Sequence, residues 1–365
     1  MSDAGMVDAA DARDALVERL LGATIATLEL YSVYLGWRLG LYRLLAASPP
    51  LTSAELAARA AIDARYAREW LEQQAVAGFL EVSDGNGDAD QRRYRLPPAY
   101  AEVLADPDSA AHVAPFAPLV VGIGGALPEV VDAYRSGAGV PFARYGRDLR
   151  DGQGAINRPA FLHDLAGWLA AIPEVDERLS AEPPARVADV GCGQGFSTLA
   201  IARAYPLVQV DGVDLDEASV ADARRLADGS DVADRVRFEV RDSAGLAASG
   251  PYDLICIFEA LHDMARPVAA LAACRQALAP GGALLVVDER VADRFTAPGD
   301  EIERMMYGWS VSHCLPASRA EQPSAALGTV LRAGTLRRLG AEAGFAAVDV
   351  VPVENELFRF YLLHD

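Results

Sequence analysis

Lysine is absent from this sequence: all 33 basic residues are arginine, they face 52 acidic residues, and the formal net charge is −19. A charge of this sign and size repels nucleic acid and anionic lipid surfaces at long range. We therefore expect neither nucleic acid nor a membrane as a partner of the protein.

Cysteine and long apolar runs are also scarce. The four cysteines, Cys192, Cys256, Cys274 and Cys314, lack the spacing of a metal-binding motif, so no metal site is predicted. Free thiols fit a reducing cytoplasm better than disulfides do. No apolar run of bilayer length and no basic-then-apolar leader is apparent, which favours a cytoplasmic protein. A chain of 365 residues predicts two domains.

Glycine is concentrated in one informative place. The apolar run Val187–Val190 leads into Gly191, Gly193 and Gly195, and a helical pattern follows. Glycines at a strand-to-helix turn permit positive φ angles and let a ligand lie against the backbone. The spacing differs from the dinucleotide pattern G-x-G-x-x-G, because Phe196 stands where that pattern requires glycine. A tight turn without a ligand is the alternative interpretation.

Four more apolar segments follow the glycine turn, and acidic residues end three of them. These residues are Asp214, Asp242 and Asp288. Strands that alternate with helical patterns predict a parallel sheet, and the ligands of such sheets bind outside the carboxyl ends of the strands. An acid about 20 residues beyond a glycine turn can accept hydrogen bonds from two ribose hydroxyls, which suits Asp214. A helix N-cap is the alternative role for Asp214 and for Asp242.

The D-x-G-x-G-x-G arrangement of residues 189–195, with the acids at the strand ends, resembles class I S-adenosylmethionine (SAM)-dependent methyltransferases over residues 181–365. The resemblance implies an α/β, Rossmann-like domain with a mostly parallel seven-stranded sheet, in which the last strand is antiparallel. It also implies SAM as the methyl donor and S-adenosylhomocysteine (SAH) as the product.

The same resemblance assigns the donor-binding residues. They are Asp189, Gly191, Gly193, Gly195, Asp214, Leu215, Asp242, Ser243 and Phe258. In such enzymes the acid matching Asp189 helps to hold the amino group of SAM, the one matching Asp214 binds the ribose, and the pair matching Asp242 and Ser243 reads adenine. These roles make physical sense, because carboxylates are strong acceptors for hydroxyl and ammonium donors.

The pair His262-Asp263 follows the fourth predicted strand, where the chemistry is expected. Methyl transfer to a hydroxyl requires alignment of the reacting atoms and removal of a proton, for which histidine is suited. In the O-methyltransferases that the chain resembles, a His-Asp pair at this place carries the general base. The resemblance therefore implies His262 as the base, oriented by Asp288 or Asp263, although Met264 stands where the plant pattern has tryptophan. A positioning role and a structural role for His262 are the alternatives.

Residues 290–328 are predicted to form an insertion over the pocket. Met305, Met306, Trp309 and His313 recur in it at helical spacing. Such a stripe indicates either a packed core or, over the carboxyl edge of the sheet, a wall for a flat apolar acceptor. The same two interpretations apply to Tyr145, which lies in a predicted helical linker and pocket cover at residues 106–180. Within this segment the composition of residues 147–158 predicts a polar loop.

The N-terminal third predicts a winged helix at residues 21–105, after a flexible tail at residues 1–20. The pattern favours a helix at 28–47, two more at 51–60 and 63–77, and a hairpin of strands at 79–82 and 92–96. DNA binding through Arg65, Arg68, Arg92, Arg93 and Arg95 is one interpretation. A protein-contact module is favoured, because DNA-binding domains usually show a clear basic excess.

A winged helix ahead of a methyltransferase domain resembles the dimerising O-methyltransferases of plants and of bacterial natural-product pathways. The resemblance implies a homodimer that methylates a small, partly aromatic molecule, most simply at oxygen. Two other functions are consistent with the sequence. One is a methyltransferase-fold protein that uses SAM for another reaction or for scaffolding, and the other is a SAM-responsive DNA-binding regulator.

Overall fold

A computed structural model describes residues 9–83 and 87–365 of the chain. These residues form two compact units, one that extends to Val121 and one that spans Gly122–Asp365. The predicted linker at residues 106–180 is not a separate unit, because its larger part, from Gly122 onward, belongs to the C-terminal unit.

The N-terminal unit is a small helical domain with a two-stranded antiparallel sheet. Its elements are α1 (Ala9–Arg38), α2 (Leu41–Ala46), α3 (Ser53–Ala60), α4 (Ala64–Val76), β1 (Glu81–Ser83), β2 (Arg93–Arg95) and α5 (Pro98–Leu104). Thr52 caps α3 in a capping box with Glu55, and Asp63 caps α4 by accepting hydrogen bonds from two backbone amides. These caps fix the start of both helices at the positions that the sequence indicates.

Two sequence-based expectations for this unit were wrong. Residues 9–20 are the first turns of α1 rather than a flexible tail, because the stretch is rich in alanine, leucine and other strong helix formers. The helix expected at 28–47 is divided at Gly40, whose φ of 69° separates α1 from α2. Residues 1–8 and the hairpin-tip residues 84–86 lie outside the described part of the chain.

All five arginines that could have contacted DNA are engaged with acidic side chains inside the N-terminal unit. The pairs are Arg65–Glu69, Arg68–Asp90, Arg92–Glu72, Arg93–Glu55 and Arg95–Glu81. Arginines that are already paired add little free positive charge to a surface. The pairing therefore favours the protein-contact interpretation of the winged helix.

The C-terminal unit is a three-layer α/β domain. Helix α6 (Phe116–Ser136) crosses into it, and it then contains α7 (Gly146–His163), α8 (Leu165–Ala170), α9 (Pro173–Ser180), α10 (Phe196–Ala204), α11 (Glu217–Asp228), α12 (Pro267–Ala277), α13 (Glu301–Trp309), α14 (Leu315–Ser318) and α15 (Ala333–Glu342). Short 3₁₀ helices span Phe142–Tyr145, Ser243–Ala248 and Leu261–Asp263, and a π-helical turn spans Ser310–Cys314.

The sheet of this unit has seven strands: β3 (Arg186–Val190), β4 (Gln209–Asp214), β5 (Val236–Val240), β6 (Tyr252–Phe258), β7 (Leu278–Glu289), β8 (Ala347–Val350) and β9 (Phe358–His364). Their spatial order is β5-β4-β3-β6-β7-β9-β8, and β9 runs antiparallel to both of its neighbours. The other neighbouring pairs are parallel. This arrangement confirms the predicted fold.

Alternating side chains of the strands fill two cores, one on each face of the sheet. Val187, Leu254 and Leu285 pack with residues of α8–α11 on one face. Ala188 and Ile255, their neighbours along the strands, pack with residues of α12 and α15 on the other. Burial on both faces explains why these strands read as continuous apolar runs.

Helices α6 and α7 correct two further expectations. The polar loop predicted at residues 147–158 is most of α7. Within the described residues, α6 has the length and the mean hydropathy, 1.4, of a membrane span, although the sequence suggested no such segment. In the most apolar 18-residue stretch of α6, 44% is buried within the structure. Core helices of globular proteins have the same composition, so this property alone is weak evidence for a span.

Candidate functional site

A cavity of about 570 Å³ opens at the carboxyl ends of the parallel strands in the C-terminal unit. Strand β3 pairs in parallel with β4 on one side and with β6 on the other, so the order in which successive strands are added across the sheet reverses at β3. Crevices at such a switch point are the usual ligand sites of open α/β sheets. Strand ends, the glycine turn and α7 all contribute to the wall.

The glycine turn connects β3 to α10 along one side of the cavity. Gly191 and Gly193 line the cavity, and Gly191 has a φ of 77°. A Cβ atom on Gly191 would stand 2.6 Å from the Cβ of Ala260, so no other residue fits there. Gly195 has a different role, because it lies outside the wall and a Cβ there would stand 2.6 Å from the ring of Phe238. Gly195 therefore packs the turn against the domain.

Asp214 is held at the cavity edge by the backbone. One carboxylate oxygen accepts a hydrogen bond from the amide of Gly193 at 2.8 Å, and the other accepts from the amide of Asp216 at 2.8 Å. The N-cap of α11 is Asp216, not Asp214, because the Asp216 carboxylate accepts from the amide of Ser219. The alternative cap role for Asp214 is thereby removed, and Asp214 is part of the cavity wall.

The other predicted donor contacts divide between the wall and the interior. Leu215, Asp242, Ser243 and Phe258 line the cavity. Leu215 is 59% exposed, which leaves its side chain available to cover a flat ring. Asp242 also caps the 3₁₀ helix Ser243–Ala248 through the amide of Ala244, so the cap role and a cavity role coexist in one carboxylate.

Asp189 does not line the cavity. Its side chain is 1% exposed, and one carboxylate oxygen accepts hydrogen bonds from the hydroxyls of Ser197 and Thr198 at 2.6 Å each. Burial raises the pKa of Asp189 to about 6, against the lowering effect of these hydroxyls. One oxygen of the carboxylate thus ties β3 to α10 from behind the turn, and the other is buried without a hydrogen-bond partner among the described residues. The contact of Asp189 with the amino group of SAM stays a prediction.

His262 lies at the centre of a buried group of carboxylates. Its Nδ1 is 3.0 Å from Oδ1 of Asp288 and 3.3 Å from Oε2 of Glu289, and its Nε2 is 3.5 Å from Oδ1 of Asp263. His262 is 2% exposed and Asp288 is fully buried. The predicted pairing of His262 with Asp288 and Asp263 is therefore present, but Asp263 rather than His262 contributes to the cavity wall.

The electrostatics of this cluster favour the imidazolium form. Burial alone would lower the pKa of His262, but Glu289, Asp288 and Asp263 together raise it well above the usual value. Burial opposes ionisation of Asp288, yet the nearby imidazole and the amide of Glu289 keep the pKa of Asp288 below its usual value. Two sets centred on His262, with Asp263 and Cys314 or with Asp288 and Glu289, also have the proximity required to hold a metal ion.

Sequence reasoning missed two acids at this end of the sheet. Glu289 is a third acid beside His262 and follows Asp288 directly at the end of β7. Glu259 follows β6, lines the cavity and has a φ of 49°. The available signal for both was their position directly after a predicted strand, the same signal that identified Asp214.

The residues predicted to form an acceptor wall lie outside the lining of this cavity. Tyr145, Met305, Met306, Trp309 and His313 do not line the cavity. Instead the Tyr145 hydroxyl donates to the carbonyl of Ser312, and its ring packs 4.5 Å from that of His313. Met306 and His313 are each 5% exposed, whereas Met305 and Trp309 are half-buried. The helical stripe is therefore core in part, and none of its members lines the cavity.

The wall at the far end comes from other segments. Small and apolar residues contribute most of it: Pro141, Phe142, Ala143, Phe161, Met264, Ala265, Ala269, Ala317 and Ala320. Helix α7 adds a polar face of Arg150, Gln153, Gly154 and Asn157. These residues recur at helical spacing, but the polar composition of the segment favours a loop, and the helical pattern was not recognised from the sequence. Arg150 is also fixed to Asp216 at 2.6 Å.

Both units match known protein families. Residues 188–284 match a methyltransferase domain, and residues 26–106 match an Rv2258c-like winged helix-turn-helix domain. Trans-aconitate 2-methyltransferase of Methylobacterium nodulans is 33% identical over 131 residues, which are 36% of this chain and 47% of that protein. The chain spans about half the length of the curated relatives it matches.

Solved structures resemble the whole chain. The mitomycin 7-O-methyltransferase MmcR is similar with a TM-score of 0.69 and 19% identity, over 97% of this chain and 99% of that chain. Human N-acetylserotonin methyltransferase, solved with SAM, has a TM-score of 0.69 and 18% identity, over 100% and 99%. At these identities the likeness establishes the fold. The C-terminal unit thus has the class I methyltransferase fold, and the N-terminal unit contains a winged-helix domain.

Proposed function

We propose that this chain, which combines a methyltransferase domain with a winged helix, transfers the methyl group of SAM to a hydroxyl of a small, partly aromatic molecule. The proposal rests on the match of residues 188–284 and on the groups that the cavity presents. Its direct test is incubation of the protein with isotopically labelled SAM and a panel of phenolic metabolites, followed by mass spectrometry. If none of the hydroxylated compounds becomes labelled, the result would favour the non-methylating alternative.

One observation carries the donor assignment: the cavity's polar groups follow the order of the strands. Asp242 and Ser243 stand beyond β5, Asp214 ends β4, the glycine turn follows β3, and Glu259 follows β6. This order matches a ligand with an adenine, a ribose and a methionine part. A Cβ on Gly193 would meet nothing within 4 Å, so the backbone there is open to such a ligand.

The acceptor end of the cavity suits a flat, mainly apolar molecule. Phe142, Phe161 and Met264 provide apolar surface, and alanines leave room beside them. The charged pair at this end, Arg266 and Glu321, is loose, with 3.9 Å between the nearest atoms. Small-molecule pockets with mainly apolar walls and a few polar groups commonly occupy about 300–1,000 Å³, which includes the volume found here.

SAM supplies an activated methyl carbon on a sulfonium, so the protein has to align the acceptor and receive its proton. We propose His262 for the second task. Asp288 and Glu289 hold its Nδ1 side, which leaves Nε2 on the side of Asp263 and the cavity. A base held by a carboxylate in a fixed orientation is the arrangement used by many enzymes that activate hydroxyls. Asp263, which is next to Nε2 and part of the cavity wall, would then lie between the imidazole and the acceptor.

We further propose that the protein is a homodimer through α1. The helix exposes a run of large apolar side chains: Leu16, Val17, Leu20, Leu21, Ile25, Leu28, Tyr31 and Leu35. Each is 43–60% exposed, and a patch of this size on one helix indicates a protein–protein interface. The paired arginines of the winged helix give the DNA-binding alternative no comparable support.

Replacement of Asp214 by alanine is expected to weaken SAH binding at least about tenfold, because ribose hydroxyls would lose their acceptor and the amide of Gly193 would lose its partner. Isothermal titration calorimetry measures the effect. Asp228→Ala, at the distal end of α11, is the matched control and should bind normally. Unchanged affinity in Asp214→Ala would remove the ribose assignment.

A further inference from the structure

Glu259 has an unusual backbone conformation for its residue type. Its φ is 49°, and among the described residues only Ala61 and Ala326 share a positive φ without being glycine. A side chain in this region is strained, and strain of this kind persists where the surrounding structure enforces it, often at ligand sites. The enforcing contact here is the hydrogen bond from the amide of Glu259 to the carbonyl of Val287, at 2.8 Å.

This conformation places Glu259 beside the glycine turn. The next residue, Ala260, lies against Gly191 so closely that a Cβ on the glycine would stand 2.6 Å from its Cβ. Glu259 itself lines the cavity. In the order of the strands it stands on the far side of the glycine turn from Asp214 and Asp242. If those two residues bind the ribose and adenine, Glu259 lies at the methionine end of the donor.

The methionine end carries an α-ammonium group, which requires an acceptor within the cavity. Asp189 does not line the cavity: one of its carboxylate oxygens accepts from two hydroxyls behind the turn, and the other is buried without a hydrogen-bond partner among the described residues. Asp263 lines the cavity but faces Nε2 of His262. Glu259 is the remaining carboxyl group next to the turn, and its described partner is the side-chain amide of Asn157.

We infer that Glu259 binds the α-ammonium group of the donor, the role that the sequence suggested for Asp189. The inference rests on the proposed function, because it assumes that the cavity binds SAM. It assigns a direct ligand contact to a residue that no motif identifies.

The surroundings of Glu259 make this contact dependent on pH. Asp288 and Glu289 face it from the end of β7, and His262 and Asp263 face it from its own turn. Burial, with the neighbouring acids, raises the pKa of Glu259 to about 7, against the opposing charge of His262. Glu259 therefore holds a proton below neutrality and must release it to bind an ammonium. Donor affinity is expected to rise as the pH increases through about 7.

The test compares three probes in isothermal titration calorimetry: SAM, SAH and 5′-methylthioadenosine, which lacks the amino-acid part. Glu259→Gln should weaken SAM and SAH by about tenfold or more at pH 8 and leave 5′-methylthioadenosine unchanged. The variant should also lose the pH dependence of SAH affinity. Glu259→Gly, which accommodates a φ of 49° without strain, should show the same loss and separates the missing carboxylate from misfolding.

Glu342→Gln, an exposed change on α15, is the control for the substitution itself and should bind all three probes normally. Loss of SAM but not SAH affinity would place Glu259 at the sulfonium or acceptor and overturn the inference. Equal loss for all three probes would show a structural role and would also overturn it. Failure of the unaltered protein to bind any probe would refute the proposed function itself.

Discussion

Replacement of His262 by alanine is expected to lower kcat by about 10²–10⁴ while SAM affinity changes little, because a general base acts on the acceptor's proton and not on the donor. The imidazole lies beside three carboxylates and does not line the donor cavity. Steady-state kinetics with the acceptor identified by mass spectrometry, together with SAM titration, measure both quantities.

The pH dependence gives a second readout for His262. The neighbouring carboxylates raise its pKa well above the usual value, so the imidazole keeps its proton to a higher pH than an ordinary histidine and must lose that proton before it can act as a base. The rate should therefore rise as the pH increases, with an acidic limb centred above the usual histidine pKa. The His262→Ala variant should lose this limb, since no imidazole remains to titrate.

His364→Ala is the matched control, because His364 also contacts an aspartate, Asp349, but does so at the exposed edge of the sheet. That variant should retain normal kinetics. If SAM affinity falls in step with the rate in His262→Ala, the residue is a positioning element for the donor site. If neither quantity changes, the acceptor reacts already deprotonated and alignment alone supports the reaction.

Disruption of the α1 surface is expected to convert a dimer into a monomer. Leu21, Leu28 and Leu35 recur every seven residues on the exposed face, with Val17 and Tyr31 beside them. Such spacing is typical of helices that pair along one seam. Replacement of Leu21 and Leu28 by glutamate would bury charge in that seam and should weaken association by at least about a hundredfold.

Light scattering at micromolar concentration distinguishes the two states. Arg19→Glu is the control, because Arg19 lies on the same helix but off the seam, and this variant should remain dimeric. A monomeric unaltered protein would contradict the homodimer proposal. A sequence-specific complex with duplex DNA at physiological salt would revive the regulator alternative instead.

The fold could be predicted because its determinants are local in the sequence. Five of the strands were visible as apolar runs, and the acids and glycines at their ends had a regular spacing. The cavity wall was predicted best at the strand ends: Asp214, Asp242 and Gly191 all lie on the cavity. Parallel strands bring their carboxyl ends to one edge of the sheet, so residues at the ends of different strands meet along one cavity.

Sequence reasoning failed where the direction of a side chain decided the outcome. The stripe of Met306, Trp309 and His313 has the periodicity of a helix face, and periodicity does not say which surface that face meets. In the structure His313 packs on Tyr145, and the cavity wall comes from residues on α7 and near α14. A polar composition likewise concealed α7, because its helical character is settled by packing rather than by propensity.

The sequence by itself determined the order of the strands, the glycine turn and the helix caps at Thr52 and Asp63, since these depend on neighbouring residues and on backbone conformation. Tertiary structure alone decided which acids reach the cavity. Asp189 fits the motif yet is turned inward to two hydroxyls, whereas Glu259 fits no motif and reaches the wall through its positive φ. The reason is physical: the burial of a carboxylate depends on how the strands and helices pack around it, which no local pattern contains.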